Sequence, residues 1–224
     1  MGTRHRPASS LVAGALAGLA LLTLDWAHAA ASAVPPEPAS IDALQQITSA
    51  GRRAILAAPL IESRPARPGD VRIVEYFDYN CPFCRRVAPT LAELLARDSG
   101  TVLVYKDWPV FGAVSVYAAH CALAARYQGK YREAQAALLA GPRLTQDSQV
   151  LAVLSAAGID LGRLRNDLAD HADEISHQLA RNDAEARALE LDGTPGLVIG
   201  SRIVPGIASL GFFEQLVASA RRER

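Results

Sequence analysis

The sequence predicts an α/β fold in which a β-α-β unit, a block of helices and a β-β-α unit follow one another along the chain. Three observations favour it. A strongly apolar strand pattern at 71–77 runs directly into a helical pattern at 82–97. Every strong signal from 114 to 191 is helical, and a hairpin pattern follows the Gly/Pro break at 193–196. At 224 residues and 50% hydrophobic, the chain is long enough for one domain with an insertion.

The first half of the chain predicts the β-α-β unit after an irregular start. Residues 34–39 are proline-rich and predict a flexible leader, behind which Ser40 can cap a short helix. The stretch at 59–70 predicts a loop or an irregular strand. A second strand is predicted at 101–106, joined to the first by a right-handed crossover. The short helix would have Ile41, Leu44 and Ile47 on one face.

The second half alternates predicted helices with start and stop signals. Gly129 and Gly158 can end helices, whereas Thr145, Asp160 and Ser209 can cap their starts. The predicted helices lie at 114–128, 130–140, 145–158 and 160–191, with a last one after Ser209. The predicted hairpin strands lie at 197–199 and 202–204, around a Gly200-Ser201 turn.

Two cysteines, Cys81 and Cys84, stand where the first strong strand meets its helix. Backbone amides and the helix dipole favour negative charge at a helix N-terminus, so we expect Cys81 to be exposed there with a lowered pKa. Residues three apart share a helix face, so the two sulfurs can close a disulfide. The motif therefore predicts a redox site that alternates between dithiol and disulfide.

The cysteines have alternative interpretations. A structural zinc site needs four ligands, and Cys121 is the only other cysteine, with no histidine that forms a ligand pair with it. A static disulfide would close too short a loop to restrain the unfolded chain much. Copper(I) binding by the two thiolates is a further alternative. Cys121 lies in an alanine-rich pattern, which favours a small buried hydrophobic residue.

The N-terminus predicts an export signal at 1–29. A basic start precedes a charge-free stretch at 11–24, and Ala27-His28-Ala29 is a small-x-small cleavage site, with Ala31-Ser32-Ala33 as a second candidate. The stretch is shorter than the ~20 apolar residues that span a bilayer, so no span is expected after cleavage. Cleavage removes Arg4, Arg6 and Asp25 from 23 basic and 23 acidic residues, which leaves 21 basic and 22 acidic residues. This near-neutral charge gives no support for nucleic-acid binding. Export implies a compartment such as the periplasm, where disulfides persist.

The order of elements, with the cysteine pair after the first strong strand and Thr194-Pro195 before the hairpin, resembles the thioredoxin superfamily. The helical block resembles the DsbA-like branch of exported thiol–disulfide oxidoreductases. Within that branch, Phe77–Cys84 and Lys106–Pro109 are most similar to ScsC-type members. The resemblance covers residues 57–222 and implies a thioredoxin fold with a helical domain inserted between its two halves.

The resemblance also implies how the site works. Cys81 would be the attacking cysteine and Cys84 the buried resolving partner, and the two would form the Cys81–Cys84 disulfide. Thr194-Pro195 would form a cis-proline loop beside which an extended substrate strand binds.

Four further residues are expected to tune the redox chemistry. Glu75 and Lys106 match the family's buried charged pair, which would move the proton of Cys84, with a surface salt bridge as the alternative. Pro82 and Phe83 stand between the cysteines. The strongly oxidising members have histidine at the position of Phe83, so this disulfide is expected to be less oxidising.

The whole sequence therefore predicts a periplasmic thiol–disulfide oxidoreductase, without cofactor or metal, that forms or rearranges disulfides in exported proteins. Its partners would be cysteine-containing exported proteins and a membrane redox partner that reoxidises or reduces it. The alternative is a peptide-binding, chaperone-like module that uses the groove beside Thr194-Pro195. The predicted domains are a signal peptide at 1–29, a leader with a short helix at 30–56, a thioredoxin-fold domain at 57–112 and 192–224, and a helical domain at 113–191.

Overall fold

A computed structural model describes residues 1–2, 37–57 and 59–223. Apart from Met1 and Gly2, the predicted signal peptide therefore lies outside the described residues. The strands are β1 (Ile61–Glu62), β2 (Val71–Phe77), β3 (Thr101–Asp107), β4 (Gly196–Ile199) and β5 (Arg202–Pro205). The α-helices are α1 (Ser49–Ile55), α2 (Pro82–Arg97), α3 (Ala113–Ala125), α4 (Tyr131–Ala140), α5 (Asp147–Ala156), α6 (Leu161–Asp170), α7 (Ala172–Ala188) and α8 (Leu210–Arg222). None of these helices is both long enough and apolar enough to cross a membrane.

The strands form one mixed sheet in the order β1-β3-β2-β4-β5. β2 and β3 run parallel, with Val71 beside Thr101 and Phe77 beside Asp107, because the chain crosses over through α2. β4 is antiparallel to β2 and forms the predicted hairpin with β5. β1 adds a short antiparallel edge strand within 59–70, where a loop or an irregular strand is predicted. The predicted fold class, a thioredoxin-like sheet with a helical block between its halves, is confirmed.

Alternate residues of β2 face opposite sides of the sheet, and each side has its own hydrophobic core. Ile73 and Phe77 belong to the larger core, which also contains Cys81 and Cys84. Val74 and Tyr76 belong to a smaller core with Trp108. All these elements fall in one compact unit, Pro35–Arg224, so the predicted boundaries between the two domains stay a prediction.

The short helix predicted after Ser40 is two separate elements. Ser40 caps only a 3-10 turn at Ile41–Ala43, because the backbone of Leu44 is extended. Thr48 caps α1 independently. Between them the leader pairs with the edge of β5, since the Ile203 amide donates to the carbonyl of Gln45 at 2.8 Å. The predicted single helical face therefore does not form.

Two predictions in the helical block also need correction. Asp160 caps α6 as predicted, but the helix expected to run from there to 191 ends at Asp170. The break lies at His171, whose φ of −119 is not helical, and α7 starts after it. Thr145 does not cap α5, because its hydroxyl donates to the Gln149 side chain at 3.1 Å, and no side chain caps that helix.

Candidate active site

Cys81 is the N-cap residue of α2, a few residues after the end of β2. Its amide donates to the carbonyl of Asp78 at 3.2 Å, and its sulfur accepts the amide of Cys84 at 3.4 Å. Pro82 occupies the first turn of the helix, where its missing amide hydrogen leaves no bond unmade. The strand-to-helix sequence thus places the Cys81 sulfur at the positive end of the helix dipole.

The surroundings push the pKa values of the two thiols in opposite directions. The hydrogen bond with the Cys84 side chain is the main reason that the pKa of Cys81 falls from its ordinary 9.0 to about 6, although burial opposes it. Thr194 and the amides of Cys84 and Phe83 lower this pKa further. Burial, followed by the neighbouring Cys81 sulfur, raises the pKa of Cys84 well above its ordinary value. One thiol therefore ionises near neutral pH, whereas the other holds its proton.

Cys81 and Cys84 are free thiols in this structure, and both residues are fully buried. Burial of Cys84 is as predicted, but the predicted exposure of Cys81 is wrong for this conformation. Its sulfur lies 3.0 Å from the carbonyl of Thr194, so the loop that carries Thr194 packs against it. Access of another molecule to the Cys81 sulfur therefore requires a movement of its surroundings. Within the described ranges, no three side chains of the kinds that ligate metals come together.

The Thr194-Pro195 bond is cis, as predicted. Beside it lies a groove, a cavity of about 600 Å³ whose lining includes Phe83 and both residues of this bond. The leader forms another wall of the groove through Leu44 and its neighbours. The predicted substrate-binding residues thus border an open space next to the Cys81 loop.

Glu75 and Lys106 do not form the predicted pair. In the register of β2 and β3, Glu75 lies beside Tyr105, whereas Lys106 lies beside Tyr76, so the two charged side chains project from opposite faces of the sheet. Lys106 instead forms an ion pair with Glu185 of α7 at 2.8 Å. The placement of two charged residues on adjacent strands does not by itself predict an ion pair. An offset of one residue in the strand register moves a side chain to the opposite face of the sheet.

Glu75 is on the side of the sheet that carries the cysteines. It is 1% exposed, and its Oε1 atom has no hydrogen-bond partner among the described residues. Burial, together with the negative charges of Cys81 and Asp107, raises the pKa of Glu75 to about 8. Glu75 in turn contributes to the raised pKa of Cys84. A carboxyl group with this pKa can take up or release a proton near neutral pH.

Asp78, which no sequence pattern singled out, holds the loop before Cys81 in place. Its buried carboxylate accepts the amides of Val110 and Phe111, at 2.7 and 2.9 Å, and the hydroxyl of Ser115, at 2.8 Å. These bonds tie the loop before Cys81 to the loop that follows β3. The signal that could have found it is an acidic residue directly after a buried strand and three residues before the cysteine pair.

We expect iodoacetamide to modify Cys81 before Cys84, with a rate that rises through a single transition near pH 6. The measurement is the alkylation rate against pH, with the modified residue identified by mass spectrometry. Cys121 is an internal control, since burial raises its pKa to about 12 and it should stay unmodified. Faster modification of Cys84, or a transition at or above the ordinary 9.0, would contradict the assignment.

A mixed sheet, a dithiol at a helix N-terminus and a cis-proline loop packed against it together define a thioredoxin-fold protein with a dithiol site. A family model, the DSBA-like thioredoxin domain, matches residues 72–218. The chain belongs to this family.

Solved structures with the same fold agree with this assignment. A thioredoxin-like oxidoreductase from Silicibacter pomeroyi is 34% identical with a TM-score of 0.71, over 76% of this chain and 98% of that one. The thiol-disulfide exchange protein alpha-DsbA2 from Wolbachia pipientis is 25% identical with a TM-score of 0.71, over 76% and 92%. Proteus mirabilis ScsC is 20% identical with a TM-score of 0.66, over 79% and 78%, and this similarity shows the fold alone.

The curated relatives are longer proteins. The Na(+)/H(+) antiporter NhaA 1 of Mycolicibacterium gilvum is 27% identical over 198 residues, which are 87% of this chain and 30% of the relative. The corresponding protein of Salinispora arenicola is 28% identical over 159 residues, which are 70% of this chain and 24% of the relative. The chain therefore spans less than a third of these relatives, and the similarity concerns that part only.

Proposed function

We propose that this protein is a periplasmic thiol–disulfide oxidoreductase that acts on exported proteins through a mixed disulfide at Cys81. One observation carries the proposal: the pKa values of two thiols one helical turn apart are shifted in opposite directions. The pKa of Cys81 is about 6, and that of Cys84 is well above its ordinary value. Membership of the family and similarity to a protein named for thiol–disulfide exchange support it. The periplasmic location rests on the export signal predicted at 1–29.

The proposed exchange has two displacement steps. The Cys81 thiolate attacks one sulfur of a client disulfide, so that a bond between Cys81 and the client forms and the second client sulfur leaves as a thiolate. The Cys84 thiolate then attacks the Cys81 sulfur, closes the Cys81–Cys84 disulfide and releases the first client sulfur. The client gains two electrons and the protein loses two, and the reverse sequence oxidises a client dithiol.

Cys84 must lose its proton before the second step, and Glu75 is the proposed acceptor. The negative charge of Cys81 is one reason that the pKa of Glu75 is raised. That charge disappears when Cys81 enters the mixed disulfide, so the Glu75 carboxyl then ionises more easily and can accept the proton. Lys106, which pairs with Glu185 on the opposite face, has no part in this transfer.

A client segment is proposed to bind in the groove beside Thr194-Pro195. Its position next to the Cys81 loop would bring a client sulfur toward the Cys81 sulfur, and the apolar ring of Phe83 would contact the client. A membrane redox partner would return the cysteine pair to its starting state. The direction of net transfer depends on the reduction potential relative to that partner.

The test is turnover of a peptide with one disulfide in a glutathione buffer. We expect turnover by the wild type and by Cys121→Ser, whose lost thiol is buried and has a pKa raised to about 12. If the wild type shows no turnover and Cys81→Ser binds the peptide with unchanged affinity, the chaperone-like alternative would be favoured.

Phe83→His should lower the pKa of Cys81 and raise the reduction potential together, because both quantities measure stabilisation of the thiolate. A charge-assisted bond of about 1.5–3 kcal/mol corresponds to a rise of about 30–60 mV. In the wild type the ring carries no charge, and the Arg86 guanidinium lies 5.5 Å above it. The measurements are a glutathione titration and a thiolate absorbance titration, with Phe83→Leu as the uncharged control. A lowered pKa with an unchanged potential would refute the link.

A further inference from the structure

A second cavity lies between α2, α4 and the face of the sheet that carries Glu75. Its volume is about 680 Å³, which is within the range of small-molecule sites. It shares no lining residue with the groove beside Thr194-Pro195. Most of its lining is aliphatic, including Ala88, Pro89, Ala92, Leu95, Leu103 and Leu139.

Three buried polar atoms of the cavity-lining residues lack a partner among the described residues: Oε1 of Glu75, Nε of Arg85 and the hydroxyl oxygen of Thr101. Folded proteins leave few such atoms unpaired. Because the pKa of Glu75 is about 8, its carboxyl is mostly protonated at neutral pH and can donate a hydrogen bond. The Nε–H group of Arg85 is also a donor. The unpartnered groups therefore call for a hydrogen-bond acceptor.

The charges at the cavity favour an anion. Arg132 donates to the carbonyl of Ser63 at 2.7 Å, and Arg85 donates to the carbonyls of Leu139 and Pro142, at 3.3 and 3.1 Å. These bonds satisfy hydrogen-bond donors, but the acceptors are neutral carbonyl groups and do not neutralise the two positive charges. Neither guanidinium forms an ion pair with a described residue. Burial raises the pKa of Tyr105, another lining residue, to about 12, and the charge of Arg132 opposes this rise, so that charge acts within the cavity.

We propose that this cavity binds a small anionic amphiphile, a monocarboxylate with an aliphatic chain. The carboxylate would accept hydrogen bonds from the unpartnered donors and offset the charge of Arg132, while the chain lies along the aliphatic walls of α2 and α4. This site does not depend on the proposed disulfide exchange. A ligand there would lie against Glu75, so its binding and the proton on that carboxyl would affect each other reciprocally.

The test is calorimetric titration of the full chain with sodium octanoate and, separately, with 1-octanol, which has the same chain and no charge. We expect one octanoate site with at least about tenfold higher affinity for octanoate than for octanol, because only the carboxylate makes charge-assisted bonds. The exposed Arg132 changed to Gln should remove most of that preference and leave octanol affinity unchanged. Ala88→Phe should abolish binding of both.

Two matched variants locate the site. Arg53→Gln removes a guanidinium from a different cavity, and Ala43→Phe fills part of the groove beside Thr194-Pro195, so neither should alter octanoate affinity. Absence of octanoate binding, equal affinity for octanoate and octanol, or loss of binding in Ala43→Phe would overturn the proposal. If Ala88→Phe does not fold, the selective effect of Arg132→Gln decides the outcome.

Discussion

Cys84→Ser should accumulate a covalent complex between Cys81 and a client, and its turnover should fall by several orders of magnitude. The reason is chemical, since serine at position 84 cannot attack the mixed disulfide and the second displacement step is lost. The first step survives, because the Cys81 thiol remains at the helix N-terminus and still accepts the amide of residue 84. The complex should be visible on a non-reducing gel and should disappear when a reductant cleaves the intermolecular disulfide.

The matched variants separate the roles of the three cysteines. Cys81→Ser should form no complex and show no turnover, because the attacking sulfur is absent. Cys121→Ser should behave like the wild type, since Cys121 is fully buried and has no part in the exchange. Mass spectrometry of the trapped complex should find the client on Cys81. Complexes of equal yield in Cys81→Ser would show that the division of roles is wrong.

Glu75→Gln should raise the free energy of unfolding at pH 9 by about 5 kcal/mol, because one pKa unit corresponds to ~1.4 kcal/mol. The folded pKa of Glu75, about 8, lies above its ordinary value of 4.5. The free energy of unfolding is therefore unreduced below pH 4.5, where the Glu75 carboxyl is neutral in both states. It falls as the pH rises through 8, because ionisation then favours the unfolded state. Glutamine stays neutral, so the variant should lack this loss.

The stability of the variant is best compared with the wild type at each pH. The lowered pKa of Cys81 gives the opposite dependence, with stability that is present above the ordinary 9.0 and lost as the pH falls through 6. Subtraction of wild-type values removes most of this contribution. Glu93→Gln, on the exposed side of α2, should change stability by less than about 0.5 kcal/mol at any pH. Denaturant unfolding at pH 5, 7 and 9 would measure both variants.

A Glu75→Gln variant that is less stable than the wild type at pH 9, or a difference that does not vary with pH, would contradict the account of Glu75. The same variant should resolve the mixed disulfide more slowly, because Cys84 loses its proposed proton acceptor. A residue that costs stability and accelerates a step is typical of a functional site.

The sequence predicted the elements whose signals are local. β2, the Pro82 start of α2 and the hairpin of β4 and β5 each follow from periodicity and from Gly or Pro punctuation within a few residues. The cysteine pair was found in the same way, because its position at a strand–helix junction is a local property. The helix break at His171 has no such signal, since neither glycine nor proline marks it.

The features that the sequence did not predict depend on contacts between distant segments. Whether Glu75 and Lys106 meet depends on the register of two strands, which the pattern within each strand does not specify. The burial of Cys81 depends on the loop of Thr194, which is 113 residues away. The role of Asp78 depends on the loop after β3, whose amides it accepts.

The central claim is that Cys81 and Cys84 are one redox pair, and an equilibrium with glutathione tests it most directly. The protein would be equilibrated at a series of ratios of reduced to oxidised glutathione, quenched by alkylation, and its free thiols located by mass spectrometry. The account predicts one two-electron transition in which Cys81 and Cys84 lose their thiols together and form a linked disulfide, while Cys121 stays reduced. Glutathione attached to Cys81 while Cys84 stays a free thiol at every ratio would contradict it.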